Sequence, residues 1–369
     1  MSALDAIVVG GGPAGLSAAI GLARAGLSVK LFEQKKEWGA RVCGSFLSPE
    51  ASLHLKWLGL LESVKENSAI TNCVTLSYEG QKCEPLQINL GPEDGLAIPR
   101  KKLEELLLRQ AIESGVEVKH GFSVTQTFRV NHKIWKVHVL DLELNREETL
   151  FTQILVSSNG RFSRFRNSKP SPTRQPWLGW NAEFKGVQQN TGTFQLCFFR
   201  QGYVGTLTFK DGTTNISGLV HANIIKQYGK NLDQFLQDLT QSNSAIKKLL
   251  QNAVQVSPFQ MVAALPFGKY INKNSTLFLT GDTAAVCDPY MGEGIARALS
   301  AGPMLFEAFK SKTPHATYLT LWNKHYSIRM RIGYCLRTML LYPTIVSKSI
   351  KLISKYRCLQ KWLLGYLHK

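Results

Sequence analysis

The sequence predicts an α/β protein in three parts: a parallel sheet flanked by helices, an antiparallel β-sheet domain inserted into it, and a helical C-terminal cap. Three observations lead there. The first thirty-four residues read strand, glycine turn, helix, strand; the stretch from Pro170 to Pro266 is rich in β pattern; and everything after Gly294 has helical periodicity broken only at prolines. With 369 residues, 44% hydrophobic and 19% charged, the composition is that of a globular protein, with length for about two to three domain-sized units.

The opening element is a short apolar run, Ala6 to Val9, that reads as a buried strand. It breaks at Gly10, and Leu16, Ala19, Ile20, Ala23 and Leu27 then fall on one side of a helix. Gly10, Gly12 and Gly15, with Pro13 and Ala14 between them, have the G-x-G-x-x-G spacing. That spacing permits a tight turn, close approach of backbone to a pyrophosphate, and close packing of helix on strand. Phosphates bind at such a helix N-terminus, where free N–H groups and about half a positive charge converge. The next strand, Ser28 to Phe32, ends in Glu33, a carboxylate placed to accept hydrogen bonds from a ribose. Together these features predict dinucleotide binding and leave open which dinucleotide.

Further along, Pro49 to Leu58 reads as an amphipathic helix. Residues 70–98 alternate as short strands broken at Glu79-Gly80 and Gly91-Pro92. Arg100 to Ser114 is a helix with Leu103, Leu106, Leu107 and Ala111 along one side, followed by a strand from Val116. Alternation over Phe122 to Val130 and Ile134 to Leu144 predicts an antiparallel meander, and the strand Gln153 to Ser157 runs into Asn159-Gly160. In the inserted part, strands are expected at Leu178–Phe184, Thr193–Arg200, Tyr203–Phe209 and Asn215–Val220, with one helix over Leu232–Leu250. The chain returns through Ser275–Thr280, a buried strand that stops at Gly281-Asp282. The expected organisation is a nucleotide domain of 1–70, 99–169 and 267–310, an inserted domain of 71–98 and 170–266, and a basic helical region of 311–369.

The net charge of +18 is uneven: Ala308 to Lys369 contains twelve Lys or Arg and no Asp or Glu, two-thirds of the total. Within it Lys348, Lys351 and Lys355 form one helical stripe and Val346, Ile350 and Ile353 another. That is the pattern of a helix lying on a membrane surface, and equally of a helix that covers the inserted domain and shows its lysines to water. An acidic membrane attracts such a face by about 1 kcal/mol per basic residue; no specific nucleic-acid binding is expected. No apolar run reaches the ~18 residues of a membrane span, and the N-terminus enters its first strand without a secretory signal. The seven cysteines are scattered and free of C-x-x-C pairs, which argues against a disulfide framework or a zinc site. A cytoplasmic protein is expected, with peripheral contact at the inner membrane face. No Ser/His/Asp or metal-ligand constellation stands out, and His54, His120 and His221 lack a partner at useful spacing, so the chemistry falls to a bound cofactor.

The second informative stretch is Gly281-Asp282 through Pro289, Gly292, Glu293, Gly294 and Ile295. A strand ending in Gly-Asp presents a carboxylate to a polyol, and the glycine turn opens a helix. With the N-terminal G-x-G-x-x-G and the central Asn159-Gly160, this stretch resembles the FAD-dependent oxidoreductases of the para-hydroxybenzoate hydroxylase superfamily, over about residues 1–310. The resemblance implies non-covalent FAD, with Gly10, Gly12, Pro13, Ala14, Gly15 and Glu33 on the ADP half and Arg41 and Arg100 on phosphate or ribityl groups. Gly281 and Asp282 would hold the ribityl chain, and Pro289, Gly292, Gly294 and Ile295 would lie beneath the isoalloxazine. Asn159-Gly160 stands where the family has Asp-Gly; Asn makes the same turn without the charge. Arg41-Val-Cys-Gly-Ser-Phe-Leu-Ser-Pro further resembles the Cys-Gly stretch of the geranylgeranyl reductase branch, in which the cysteine lies beside the flavin. Cys43 is then a candidate proton donor or redox-sensitive contact, or a small residue chosen for packing. Trp177, Trp180, Phe199 and Tyr203 are candidate lining residues of a substrate pocket.

The resemblance implies an oxidoreductase acting on a lipophilic or aromatic small molecule, by double-bond reduction or by oxygen-dependent hydroxylation. A single glycine fingerprint means that NAD(P)H would serve as a transient electron donor, or that another protein supplies electrons. The alternative from another class is a non-catalytic flavin-binding or membrane-associated protein.

Overall fold

The computed structural model describes residues 4–39, 41–78, 85–91, 94–166, 176–229, 231–262, 265–271, 277–356 and 358–359. The expected breaks at Glu79-Gly80 and Pro92, the start of the inserted part at Pro170, and Ser275 lie outside them.

The nucleotide part is a seven-stranded sheet in the order Glu117–His120, Val29–Glu33, Leu4–Val9, Arg146–Ser157, Trp135–Asp141, Phe122–Arg129, with Phe278–Leu279 also pairing with Arg146–Ser157. The pairs around Leu4–Val9 are parallel and the last two strands form an antiparallel meander. Buried on both faces, Ile7, Val8, Leu31, Leu155 and Val156 form a near-continuous apolar layer, as a helix-covered parallel sheet requires.

Helix Pro13–Arg24 packs on this sheet and against helix Ala301–Phe309. The contact is close enough to exclude a side chain: a Cβ on Gly21 would lie 2.3 Å from the Gly302 carbonyl oxygen. Ser17 completes the joint by donating to the Leu299 carbonyl at 2.5 Å and accepting from the Gly302 N–H at 3.0 Å. The first and last thirds of the nucleotide part are thereby fixed to one another.

The second sheet has eight strands, in the order Val254–Gln255, Trp177–Lys185, Thr214–His221, Gly202–Thr208, Thr193–Phe199, Cys73–Tyr78, Leu86–Asn89, with Gln260–Val262 also on Trp177–Lys185. It is antiparallel except where Thr193–Phe199 pairs in parallel with Cys73–Tyr78. The expected single helix over Leu232–Leu250 is two, Leu232–Ser242 and Ser244–Leu250. Asn243 separates them in an extended conformation, and its side chain caps the second by accepting from the N–H groups of Ala245 and Ile246. These helices cover one face of the sheet; the long helix Pro314–Met339 and the last helix Pro343–Lys355 reach the other.

Candidate active site

At Gly10 (φ +102°) the first strand turns into helix Pro13–Arg24. A Cβ on Gly15 would sit 1.8 Å from the Gly10 carbonyl oxygen, so only glycine closes this turn. The helix starts with no acidic residue in its first turn and no side-chain cap, which leaves its first N–H groups for an anion. Glu33 accepts from the Gly11 N–H at 2.6 Å and from the Lys35 N–H at 2.9 Å. Gly10, Glu33 and Asn159 line a cavity of about 130 Å³ with Phe32, Phe122 and Arg164.

A second cavity, of about 260 Å³, adjoins it at Gly12, Arg41, Ser158 and Gly160. Its lining brings together Pro13, Ala14, Cys43, Arg100, Asp282, Pro289, Gly292, Gly294 and Ile295. The two glycine-and-acid turns near opposite ends of the nucleotide part therefore face one continuous space. Gly281 stands behind it: its φ is +53°, and a Cβ there would meet that of Ala14 at 2.6 Å.

The charges in this space suit a dinucleotide. Arg41 and Arg100 converge on Glu104, which is 1% exposed, with nitrogen–oxygen distances of 3.8 and 2.9 Å to Oε1. Two cations against one carboxylate leave net positive charge, and the Nε atoms of both arginines are buried without a hydrogen-bond partner. An isolated buried donor is costly; a pyrophosphate beside Arg41, which borders both cavities, supplies the missing acceptor. Asp282 lies 3.3 Å from Arg297 and 3.6 Å from Arg161. Two cavities in line, a bare helix start, two arginines that share one carboxylate and keep bare Nε donors, and a carboxylate at each end fit FAD.

Asn159 is committed to its own turn: its Oδ1 accepts from Ser157 and Ser163 hydroxyls at 2.7 and 2.8 Å. The next residue, Gly160, donates its N–H to Thr283 at 2.9 Å, tying this turn to the Asp282 loop. Cys43 is held from the inserted sheet. Asn215 donates to its carbonyl at 2.9 Å, and its Sγ accepts from the Ser45 N–H at 3.3 Å and lies 4.0 Å from the Arg100 guanidinium. Cys287 lines the same cavity, and burial, opposed by Arg297, pushes its thiol up to about 11.

A third cavity, of about 180 Å³ and almost wholly apolar, meets the second at Phe46, Phe194 and Gly292. Its floor is the inserted sheet, through Val74, Leu76, Ile88, Leu196 and Phe198; its roof is Leu336, Met339 and Leu340 of the long helix and Val346, Ile350 and Ile353 of the last one. Phe46 and Phe194 stack at 4.9 Å at the junction.

Of the expected pocket residues, Trp180 and Tyr203 line the 260 Å³ cavity; Trp177 and Phe199 line none of the three. Strand alternation accounts for Phe199: Phe194, Leu196 and Phe198 face the apolar cavity, so Phe199 points to the opposite face and packs on Phe235, 6.2 Å between centroids. Trp177 is 2% exposed and packs edge-on to His221 at 5.3 Å. His54, expected to be without a partner, sits 4.0 Å from Glu50, which pairs with Arg329 at 2.5 Å.

The sequence reading missed Glu104, Arg297 and the Asp288–Arg337 pair. Glu104 had a signal: it falls at helical spacing with Arg100, Leu107 and Ala111, on the inward arc of its helix. Arg337 had none, because its partner lies 49 residues away.

A family model described as "FAD binding domain" matches residues 3–309. The chain is 25% identical over 325 residues to digeranylgeranylglycerophospholipid reductase 1 of Methanococcoides burtonii, covering 81% of this chain and 72% of that protein. It is 24% identical to the flavin-dependent halogenase armH1 of Armillaria mellea, over 82% of this chain and 63% of the halogenase. A solved structure, a geranylgeranyl bacteriochlorophyll reductase-like protein from Thermoplasma acidophilum, superposes with a TM-score of 0.77 at 19% identity, covering 96% of this chain and 92% of the other.

Proposed function

The chain belongs to the FAD binding domain family and is an FAD-dependent oxidoreductase, and from this premise we propose that it reduces a carbon–carbon double bond in a lipophilic, prenyl-like substrate. The observation that carries this reading is the apolar cavity, which joins the cofactor space at Phe46, Phe194 and Gly292. A long hydrocarbon lies there out of water, with one end presented at the Pro289–Gly292 turn. Its burial is worth roughly 25 cal/mol per Å² of apolar surface.

Bound FAD supplies hydride transfer in its reduced state. The chain's own residues do the rest. The Gly10–Gly15 turn, Glu33 and Arg41 would hold the ADP half and Arg100 and Asp282 the ribityl side; Trp180 and Tyr203 border the same cavity as the Pro289–Gly292 turn and would exclude water. The Cys43 thiol lines the cavity, and in this reading it protonates the carbon that does not receive hydride. NAD(P)H or a protein donor supplies electrons from outside.

The second reading is oxygen-dependent hydroxylation or halogenation, favoured by the aromatic lining of the 260 Å³ cavity by Trp180, Tyr203 and Phe267, a shape suited to a ring. The test is to reduce the purified holoprotein under nitrogen and add a prenylated lipid. Reoxidation of the flavin with a mass gain of about two per reduced double bond supports reduction. An inert lipid, with oxygen uptake stoichiometric with product when air and an aromatic substrate are then admitted, supports the second reading.

A further inference from the structure

The last helix has two faces with different surroundings. Val346 and Ile350, buried, roof the apolar cavity. On the outer side, Ile345 is 44% and Leu352 52% exposed, flanked by the exposed Lys348, Lys351 and Lys355. The neighbouring end of the long helix adds Tyr334, 62% exposed, and Arg331. Tyr342 and Tyr356, bracketing the last helix, are also exposed. Phe128 to Phe151 exposes as many large apolar side chains, but with Asp141, Glu143, Glu147 and Glu148 among them, whereas the chain contains no Asp or Glu from Ala308 to its end.

We propose that this outer face docks on the surface of an anionic lipid bilayer, with the last helix lying in the interface as the lid between bilayer and apolar cavity. The chemistry selects that partner. Leucine and isoleucine at the edge of a lysine row insert into the acyl boundary while the lysines extend to headgroup phosphates. Tyrosines at both ends of the helix match the aromatic enrichment of membrane interfaces. A thirteen-residue helix, about 20 Å long, lies on a bilayer rather than crossing it, and no helix among the described residues is long and apolar enough to cross. A second copy of the same face would meet it with like charge, and a nucleic acid would leave Ile345 and Leu352 in water.

The docking rests on the reading of the apolar cavity as a lipid site only in its purpose; the contact is measurable without turnover. The full-length holoprotein is sedimented with vesicles of phosphatidylcholine alone and of phosphatidylcholine mixed with phosphatidylglycerol. It is expected to pellet with the mixed vesicles, to remain in solution with the neutral ones, and to be released as salt is raised. I345E/L352E and K348E/K351E each should lower binding by about tenfold or more while retaining FAD absorbance and the wild-type melting temperature. Absence of pelleting, or variants that pellet like the wild type, overturns the proposal. So does a face that instead binds an RNA oligonucleotide, or that forms a dimer broken by I345E/L352E. A protein that fails to pellet yet turns over lipid in detergent leaves the proposed reaction standing; one that pellets but is colourless does the reverse.

Discussion

Arg337, on the long C-terminal helix, donates a hydrogen bond of 2.9 Å to Asp288, the residue that opens the Pro289–Gly292 turn beside the cofactor space. Tyr290 of that turn donates to the Gly333 carbonyl at 2.6 Å, one helical turn away. The Pro289–Gly292 turn and the roof of the apolar cavity are thus one mechanical unit, closed by a buried ion pair.

Breaking that pair from one side is expected to be costly. Burial pushes Asp288 up to about 7 even with Arg337 opposing it, so in R337M the buried carboxyl takes up a proton and loses its hydrogen-bond partner, and the substitution should destabilise by about 1–3 kcal/mol. D288N/R337M removes both charges and should recover a large part of that loss. Denaturant unfolding of the three proteins checks it; an R337M protein as stable as wild type would falsify the idea that the pair holds the turn.

The fingerprint turn admits no Cβ. With 1.8 Å available between a Gly15 Cβ and the Gly10 oxygen, G15A must shift the helix off the strand and is expected to yield protein that purifies without FAD. G212A is the control. Gly212 also has a positive φ, +81°, but meets nothing within 4 Å, so the substitution costs about 1 kcal/mol of strain and should leave flavin content unchanged. Equal absorbance near 450 nm in both proteins, measured per mole of chain, would remove the glycine turn from the cofactor site.

What was legible in the sequence was local. The two turns that line the cavity proposed for the cofactor announce themselves because the residues that make each one are near neighbours: Gly10 to Gly15, and Gly281 through Ile295. The strands of the inserted sheet were readable from alternation, but which face mattered was not, since alternation fixes only that Phe198 and Phe199 point apart. The face was decided by helices Pro314–Met339 and Pro343–Lys355, far along the chain, which cover Phe198 and leave Phe199 to pack on Phe235. Buried charges were hidden for the same reason. Glu104 lies on the inward arc of its helix with Arg100, but its second partner, Arg41, is brought against it from a distant loop.

Glu293 makes stability depend on pH in a direction opposite to that of a surface carboxylate. Burial, opposed by Arg329, lifts it from 4.5 to about 7. The unfolded chain releases this proton near the lower value and the folded chain near the higher, so the folded state holds a proton that the unfolded state lacks between them. The contribution is fully present below about pH 4.5 and is lost as pH rises through 7, amounting to about 3 kcal/mol at most. E293Q abolishes the dependence and leaves Arg329 paired with Glu50 at 2.5 Å. Between pH 5 and pH 8 the wild type should therefore lose melting temperature relative to E293Q, by a few degrees. His54, whose pKa burial lowers, titrates in both proteins and cancels in the comparison. A difference that stays constant across that range counts against a raised Glu293.

Cys43 can be tested as a proton donor because its loop is anchored through the backbone, the side chain adding one contact, from the Ser45 N–H to Sγ at 3.3 Å. The loop is held to the inserted sheet through the Cys43 carbonyl, which accepts from Asn215, and Asn215 in turn accepts from Asn181 at 3.1 Å. C43A removes the thiol and keeps both bonds, so FAD content and the visible spectrum should be those of the wild type. Loss of a positioned acid typically costs 10²–10⁴-fold in rate, and the loss is expected in kcat, with KM little changed if the substrate's apolar contacts are those proposed in the neighbouring cavity. C43S restores a hydroxyl at the same place, a weaker acid, and should fall between the two. The distinguishing readout is the solvent deuterium isotope effect on product formation with pre-reduced enzyme. Proton transfer from Cys43 predicts an effect in the wild type that changes in C43A, where water must take over. Equal kcat in all three proteins, with an unaltered isotope effect, would make Cys43 a packing residue on the cavity wall and assign the proton to water.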